Sequence, residues 1–111
     1  MTTLILVIRQ VPVSGSQPLT ATMNGQTILS KGAANNNDGT LTVTVKVGIG
    51  SLRSIKLCVK IPSKQLSVER DYNVANGSYI IIGRGPGNQF GVFQQRDNAG
   101  LEAVVRVTKP G

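Results

Sequence analysis

Apolar and polar residues alternate strictly along two stretches in the middle of the chain, 41–47 and 54–61. Such alternation places the apolar side chains on one face of a β-strand and the polar side chains on the other. The glycine-containing segment 48–51 between the two stretches is short enough for a turn. We therefore expect the two strands to pair as an antiparallel hairpin, with both polar rows on the same side.

Further strand patterns, one of them clear and the others weaker, fill most of the remaining chain. A third clear alternation covers residues 101–107, and shorter apolar-rich runs occur at 3–9, 18–23, 26–30, 78–83 and 88–95. Asn24-Gly25, which separates two of these runs, is typical of a two-residue hairpin turn. The segment 63–71, after Pro62, is the one place where a helical turn or two is expected. The pattern as a whole predicts about eight short strands with little or no helix.

Two runs are apolar at every position, Leu4 to Ile8 and Ile80 to Ile82. Continuous apolar runs are typical of strands covered on both faces, either in the centre of a sandwich or at a subunit contact. A chain of 111 residues fits one domain. The sequence predicts a single all-β domain, 1–111, folded as a small antiparallel β-sandwich or a partly open barrel, with the asparagine-rich segment 33–39 as a mobile loop.

The composition lowers the expectation of catalysis. The chain has no histidine, one cysteine and five carboxylates, whereas proton transfer near neutral pH most often uses histidine. Cys58 therefore lacks the usual base, and Glu69 with Asp71 offers too few ligands for a cation site. The segment 83–88 lacks the spacing of a dinucleotide or Walker loop and is expected to be a glycine-rich hairpin loop. We predict no catalytic residue, no cofactor and no metal site.

The formal net charge of +7 favours anionic partners. Lys46, Lys56 and Lys60 fall on the polar side of the predicted hairpin, where Arg106 could join them, and Arg84 lies in the glycine-rich loop. These five residues are the candidates for contacts with an anion or a partner. The cationic row could follow the phosphates of a nucleic acid, or it could be a solvated basic face that discourages edge pairing.

Two functions are consistent with these features. The first is a non-enzymatic structural or protein-interaction domain that acts through its surface, with self-association as one form. The alternative is a basic β-domain that binds nucleic acid through phosphate contacts. The N-terminus has no basic segment and an apolar run of five residues, which is too short for a signal peptide or a membrane span. We expect an unexported, cytoplasmic protein that does not cross a membrane.

Overall fold

The fold is an all-β sandwich, as the sequence predicts. A computed structural model describes residues 2–96, which form two open sheets of four strands each. The strands are β1 (Thr2–Pro12), β2 (Leu19–Met23), β3 (Gln26–Lys31), β4 (Thr40–Gly50), β5 (Ser54–Ile61), β6 (Leu66–Asn73), β7 (Tyr79–Arg84) and β8 (Phe90–Gln95). Three-residue 3₁₀ turns follow β5, β6 and β7, at Pro62–Lys64, Val74–Asn76 and Pro86–Asn88. The strand predicted at 101–107 lies outside the described residues.

Each sheet has its own strand order. The β1 sheet has the order β4-β1-β7-β8, and the β2 sheet has the order β3-β2-β5-β6. All neighbouring strands are antiparallel except β1 and β7, which are parallel. A parallel pair needs a long crossover connection. Here the whole β2 sheet, together with β4, lies in the chain between β1 and β7.

The central strands of the β1 sheet, β1 and β7, are apolar on both faces. Leu4, Leu6 and Ile8 point into the core between the sheets and are fully buried. On the outer face Val7 is paired with Ile81, and neither side chain has accessible surface. The half-buried side chains of Ile5, Tyr79 and Phe93 pack around this outer pair. The two continuous apolar runs are therefore central strands, one of the two placements that the sequence allows.

The β2 sheet contributes the other half of the core. Its inward row on β5 consists of Ile55, Leu57, Val59 and Ile61, all buried, and Leu19 and Ala21 of β2 lie beside it. Burying an aliphatic side chain of this size contributes roughly 1.5–3 kcal/mol. An aliphatic core of this kind accounts for the strict alternation along β5.

The predicted hairpin between β4 and β5 is wrong. β4 pairs with β1, and β5 pairs with β2 and β6, so residues 51–53 carry the chain from one sheet to the other. The inward rows of β4 and β5 both contribute to the core between the sheets rather than lying side by side in one sheet. Alternation is the same in both arrangements, because it reports which face is buried and not which strand is the neighbour.

The expectation of helical turns over 63–71 is largely wrong as well. The 3₁₀ turn ends at Lys64, and β6 then pairs with β5 over its whole length. Arg70 interrupts the inward row of β6 between the apolar Val68 and the buried Tyr72, which weakens the alternating pattern. By contrast, the Asn24-Gly25 hairpin is confirmed: β2 and β3 flank the turn, whose residues have φ of 52° and 82°.

The asparagine-rich loop is tied by side-chain hydrogen bonds to β4, an edge strand. The Asn35 side chain donates to the Thr42 carbonyl oxygen at 2.8 Å and accepts from the Thr42 N–H at 2.9 Å. Asn36 donates to the Thr42 hydroxyl oxygen at 2.9 Å. The two Asn35 bonds satisfy backbone groups of Thr42 that an edge strand otherwise presents to other chains. The segment predicted to be a mobile loop therefore covers part of the β4 edge.

Gly83 occupies a position in β7 that a side chain cannot share. Its φ is +108°, and a Cβ atom there would clash with the Arg9 carbonyl oxygen. We expect Gly83→Ala to lower the free energy of unfolding by about 2 kcal/mol or more, because it combines backbone strain with a steric clash. Denaturant unfolding measures the change.

Gly48→Ala is the matched control for Gly83→Ala. Gly48 lies in β4, and a Cβ atom there would meet nothing within 4 Å. A surface change of this kind should alter stability by less than about 0.5 kcal/mol. Equal decreases in stability in the two variants would contradict the close approach of β7 to Arg9.

Candidate functional site

The lysines of the predicted cationic row lie on opposite outer faces of the sandwich. Lys46 is exposed on the β1 sheet, where it pairs with Ile5. Lys56 and Lys60 are exposed on the outer face of the β2 sheet, because they alternate with the buried row of β5. The row is predicted from a hairpin that does not form, so the structure does not bring these three side chains together. Arg106 lies outside the described residues.

Carboxylates share the outer face of the β2 sheet with its lysines. Lys56 lies opposite Asp71 in the strand ladder, and its Nζ is 3.6 Å from Oε1 of Glu69. Both side chains of this ion pair are more than half exposed, so the pair adds little stability. Its effect is local: the positive charge of Lys56 is compensated on the same face.

Cys58 is half-buried on this outer face, opposite Glu69 in β6 and Thr22 in β2. Its neighbours on the same face of β5 are the two lysines, as the sequence predicts. Glu69 and Asp71 share the face, as expected of residues two apart on a strand. Within residues 2–96, no three His, Cys, Asp or Glu side chains are grouped so that they could hold a metal ion.

Arg84 lies at the end of β7, in a cluster that the sequence does not reveal. Its Cζ is 5.7 Å from the centroid of the Phe90 ring, and Nζ of Lys64 is 5.1 Å from the same centroid. Arg84 and Phe90 pair across the β7–β8 hairpin, whereas Lys64 comes from the turn after β5 in the other sheet. We call Lys64, Arg84 and Phe90 the Phe90 cluster.

No local pattern connects Lys64 with Arg84, which are 20 positions apart in the chain. The signals present in the sequence are the glycine-rich loop and the aromatic residue that follows it. The expectation of a glycine-rich hairpin loop is confirmed, since β7 and β8 are antiparallel neighbours. Inside the loop the Gly85 N–H donates to the Gln89 carbonyl oxygen at 2.7 Å.

A depression of about 550 Å³ lies at the opposite end of the β5 strand. Two segments form it: the crossing between the sheets at 51–53 and the 3₁₀ turn that follows β6. A hydrogen bond joins these segments, since the Val74 N–H donates to the Arg53 carbonyl oxygen at 2.9 Å. Its lining residues are Ser51, Leu52, Arg53, Asn73, Val74 and Ala75. Leu52 is 45% exposed. No other large hydrophobic side chain in the described part of the chain is exposed. We call this feature the Leu52 depression.

Among the titratable groups of residues 2–96, those of Asp38 and Tyr72 have shifted pKa values. Hydrogen bonds from the hydroxyl and the N–H of Thr40 hold the pKa of Asp38 below its ordinary value. Burial raises the pKa of Tyr72, and the nearby charge of Arg70 opposes this effect without cancelling it. Asp38 belongs to the asparagine-rich loop, and Tyr72 immediately precedes the lining of the Leu52 depression.

No helix in residues 2–96 has the length and apolar character needed to span a membrane. Comparisons with known proteins give no match: no family model fits the chain, and neither the curated proteins nor the solved structures contain a significant relative. Any functional interpretation of a surface therefore has to be based on the geometry of that surface.

The buried hydroxyl of Tyr72 generates a prediction for alkaline pH. Because its pKa is higher in the folded than in the unfolded protein, the stabilisation is present below pH 10 and is lost as pH rises through the folded pKa. We expect Tyr72→Phe to remove this decline, because the variant has no phenol at position 72 that can lose a proton. Urea unfolding at several pH values measures it.

Tyr79→Phe is the control for Tyr72→Phe, since it removes a phenol but keeps Tyr72. This control should retain the alkaline decline. An identical decline in wild type and Tyr72→Phe would contradict the assignment to Tyr72.

Proposed function

We propose that the protein is a non-enzymatic structural or protein-interaction domain that acts through its surface. The observation that supports this most is the Leu52 depression, which combines an exposed leucine with a concave surface. Apolar anchors that enter such concavities supply much of the binding energy in protein–protein interfaces. Self-association is one form that this interaction can take.

The lining of the depression favours a particular partner chemistry. Leu52, Val74 and Ala75 offer apolar surface, and Arg53 is the charged residue among the lining side chains. A partner that inserts an apolar side chain and places a carboxylate near Arg53 would match both features. The net charge of +7 would also steer an acidic partner towards the domain.

A second copy of the chain would bind under different electrostatics. Two molecules of charge +7 repel each other, and added salt screens that repulsion. Self-association through the Leu52 depression should therefore strengthen with salt, whereas binding of an acidic partner should weaken. The salt dependence distinguishes the two forms of the proposal.

Nucleic-acid binding through Lys46, Lys56 and Lys60 has less support. Lys46 lies on the other outer face from the two remaining lysines, and Lys56 is paired with Glu69. A continuous track for phosphates needs aligned cations without compensating carboxylates.

The self-association form is tested by light scattering over a concentration series at roughly 50 and 500 mM salt. We expect the mean mass to rise with concentration, and to rise more at the higher salt. Leu52→Asp should shift the transition to at least about tenfold higher concentration, because it places a charge in an apolar contact. Ser30→Asp, which adds the same charge at an exposed position on β3, should leave the transition unchanged.

The acidic-partner form is tested with a leucine peptide flanked by glutamates, titrated into ¹⁵N-labelled protein. The amide signals of Leu52, Val74 and Ala75 should shift at low salt and recover at high salt. Leu52→Asp should abolish these shifts. A protein that stays monomeric at both salts and shows no peptide-dependent shifts at the depression would contradict the proposed function.

A further inference from the structure

We propose that the segment 101–107, which lies outside the described residues, pairs with the far edge of β8 and closes the open side of the sandwich. The far edge of β8 is the edge that faces away from β7, and it has no partner strand within residues 2–96. The open side is the gap between β8 and β6, edge strands of opposite sheets that contact each other. The proposal does not depend on the proposed interaction function, which uses the Leu52 depression.

The sandwich is well covered along one side and open along the other. On the side of β4 and β3, most inward apolar side chains are at most 5% exposed: Leu29, Leu41, Val43, Val45 and Ile49. On the side of β6 and β8, Tyr72 is buried, but the other inward apolar side chains pack against the core and stay half-buried: Leu66, Val68, Phe90 and Val92. Apolar surface that continues a core marks a place where another apolar element can pack.

Contacts near both ends of the open side hold the two edge strands together. Nε2 of Gln94 donates to the Asn73 carbonyl oxygen at 2.8 Å, which joins β8 to the end of β6. At the other end, Nζ of Lys64 lies over the Phe90 ring, so this aromatic side chain already has a cover. Val92 is the inward residue of β8 between these contacts. A further strand beside β8 therefore meets a preformed edge with Val92 at its centre.

The chain that follows β8 suits a return along the same edge. β8 ends at Gln95, and after Arg96 come Asp97-Asn98-Ala99-Gly100, residue types that favour turns. Loops of four residues are common in β-hairpins. The alternating segment 101–107 is then one residue longer than β8, which has six. A hairpin thus brings the segment to the far edge of β8 without a long connection.

The length of the loop fixes which residues become neighbours. With 97–100 as the loop, Arg96 pairs with Leu101, and the antiparallel ladder then places Val105 beside Val92. Directly paired residues in such a ladder lie on the same face of the sheet. The row that this register turns towards the open side is apolar throughout: Leu101, Ala103, Val105 and Val107.

The other row of the segment fits the outer face of the β1 sheet in the same register. Val104 pairs with Phe93, which packs against the outer apolar pair, while Glu102 and Arg106 lie on the face that meets solvent. A slip by one residue would exchange the two rows. It would turn Glu102 and Arg106 towards the apolar side chains of the open side, where burying a charge is costly. The polar pattern of the segment thus selects one register.

The first test is amide hydrogen exchange of the full chain, followed by NMR. Within 101–107, alternate amides should exchange at least about tenfold more slowly than in an isolated 97–111 peptide, because a paired strand protects every second N–H group on its bonded edge. The peptide is the matched reference, since a two-stranded hairpin or a single strand is at best marginally stable by itself. Side-chain contacts between Val105 and Val92 should be detected in the same sample.

The second test uses two neighbouring valines of the segment. Val105→Thr should lower the midpoint temperature of unfolding by at least about 4 °C, because it places a hydroxyl against the apolar open side. Val104→Thr is the matched control, with the same change of shape and β-propensity one position away. It should lower the midpoint by at most about half as much, since its hydroxyl keeps contact with water.

Three results would overturn the proposal. One is exchange within 101–107 that is as fast in the full chain as in the peptide. Another is an equal decrease in the midpoint temperature in the two variants, or a larger decrease in Val104→Thr, which would contradict the register. The third is slow exchange that appears only as the protein concentration rises, which would assign the added strand to a second copy of the chain.

Discussion

The position of β1 between β4 and its parallel neighbour β7 constrains the rest of the fold. Parallel neighbours are stable when both faces are covered, and here Leu4, Leu6 and Ile8 face the core while Val7 packs on Ile81 outside. The two neighbours of β1 are β4 and β7. The strands β5 and β6, which lie between β4 and β7 in the chain, pair in the opposite sheet. The crossing of residues 51–53 and the separation of the lysines follow from this arrangement.

The candidate sites lie at the two ends of the sandwich, where segments from both sheets meet. The Leu52 depression forms where the chain leaves β4 for β5, and the Phe90 cluster forms where the turn after β5 approaches the β7–β8 loop. Loops on a rigid scaffold commonly carry function, since their side chains are free of the alternation that the core imposes on strands. The sheet faces, by contrast, are packed or carry mixed charge.

Much of the strand content could be predicted because burial leaves a period of two in the sequence. Prediction failed at β6, where Arg70 lies in the inward row. The asparagine-rich segment is a loop, as predicted, but its pattern did not reveal that Asn35 and Asn36 bond to Thr42 of β4. Sites were harder to predict than strands. Lys64 has no local feature to mark it, and only the fold places it beside Phe90, which belongs to the other sheet.

The sequence by itself determined the all-β class, the faces that β4 and β5 bury and the Asn24-Gly25 hairpin, because these depend on residues close together in the chain. The tertiary structure decided which strands are neighbours, and therefore where Lys46, Lys56 and Lys60 lie and which residues surround Phe90. Alternation specifies a buried face equally well for several partners. The choice among them depends on packing between strands that are far apart in sequence, such as β1 and β7.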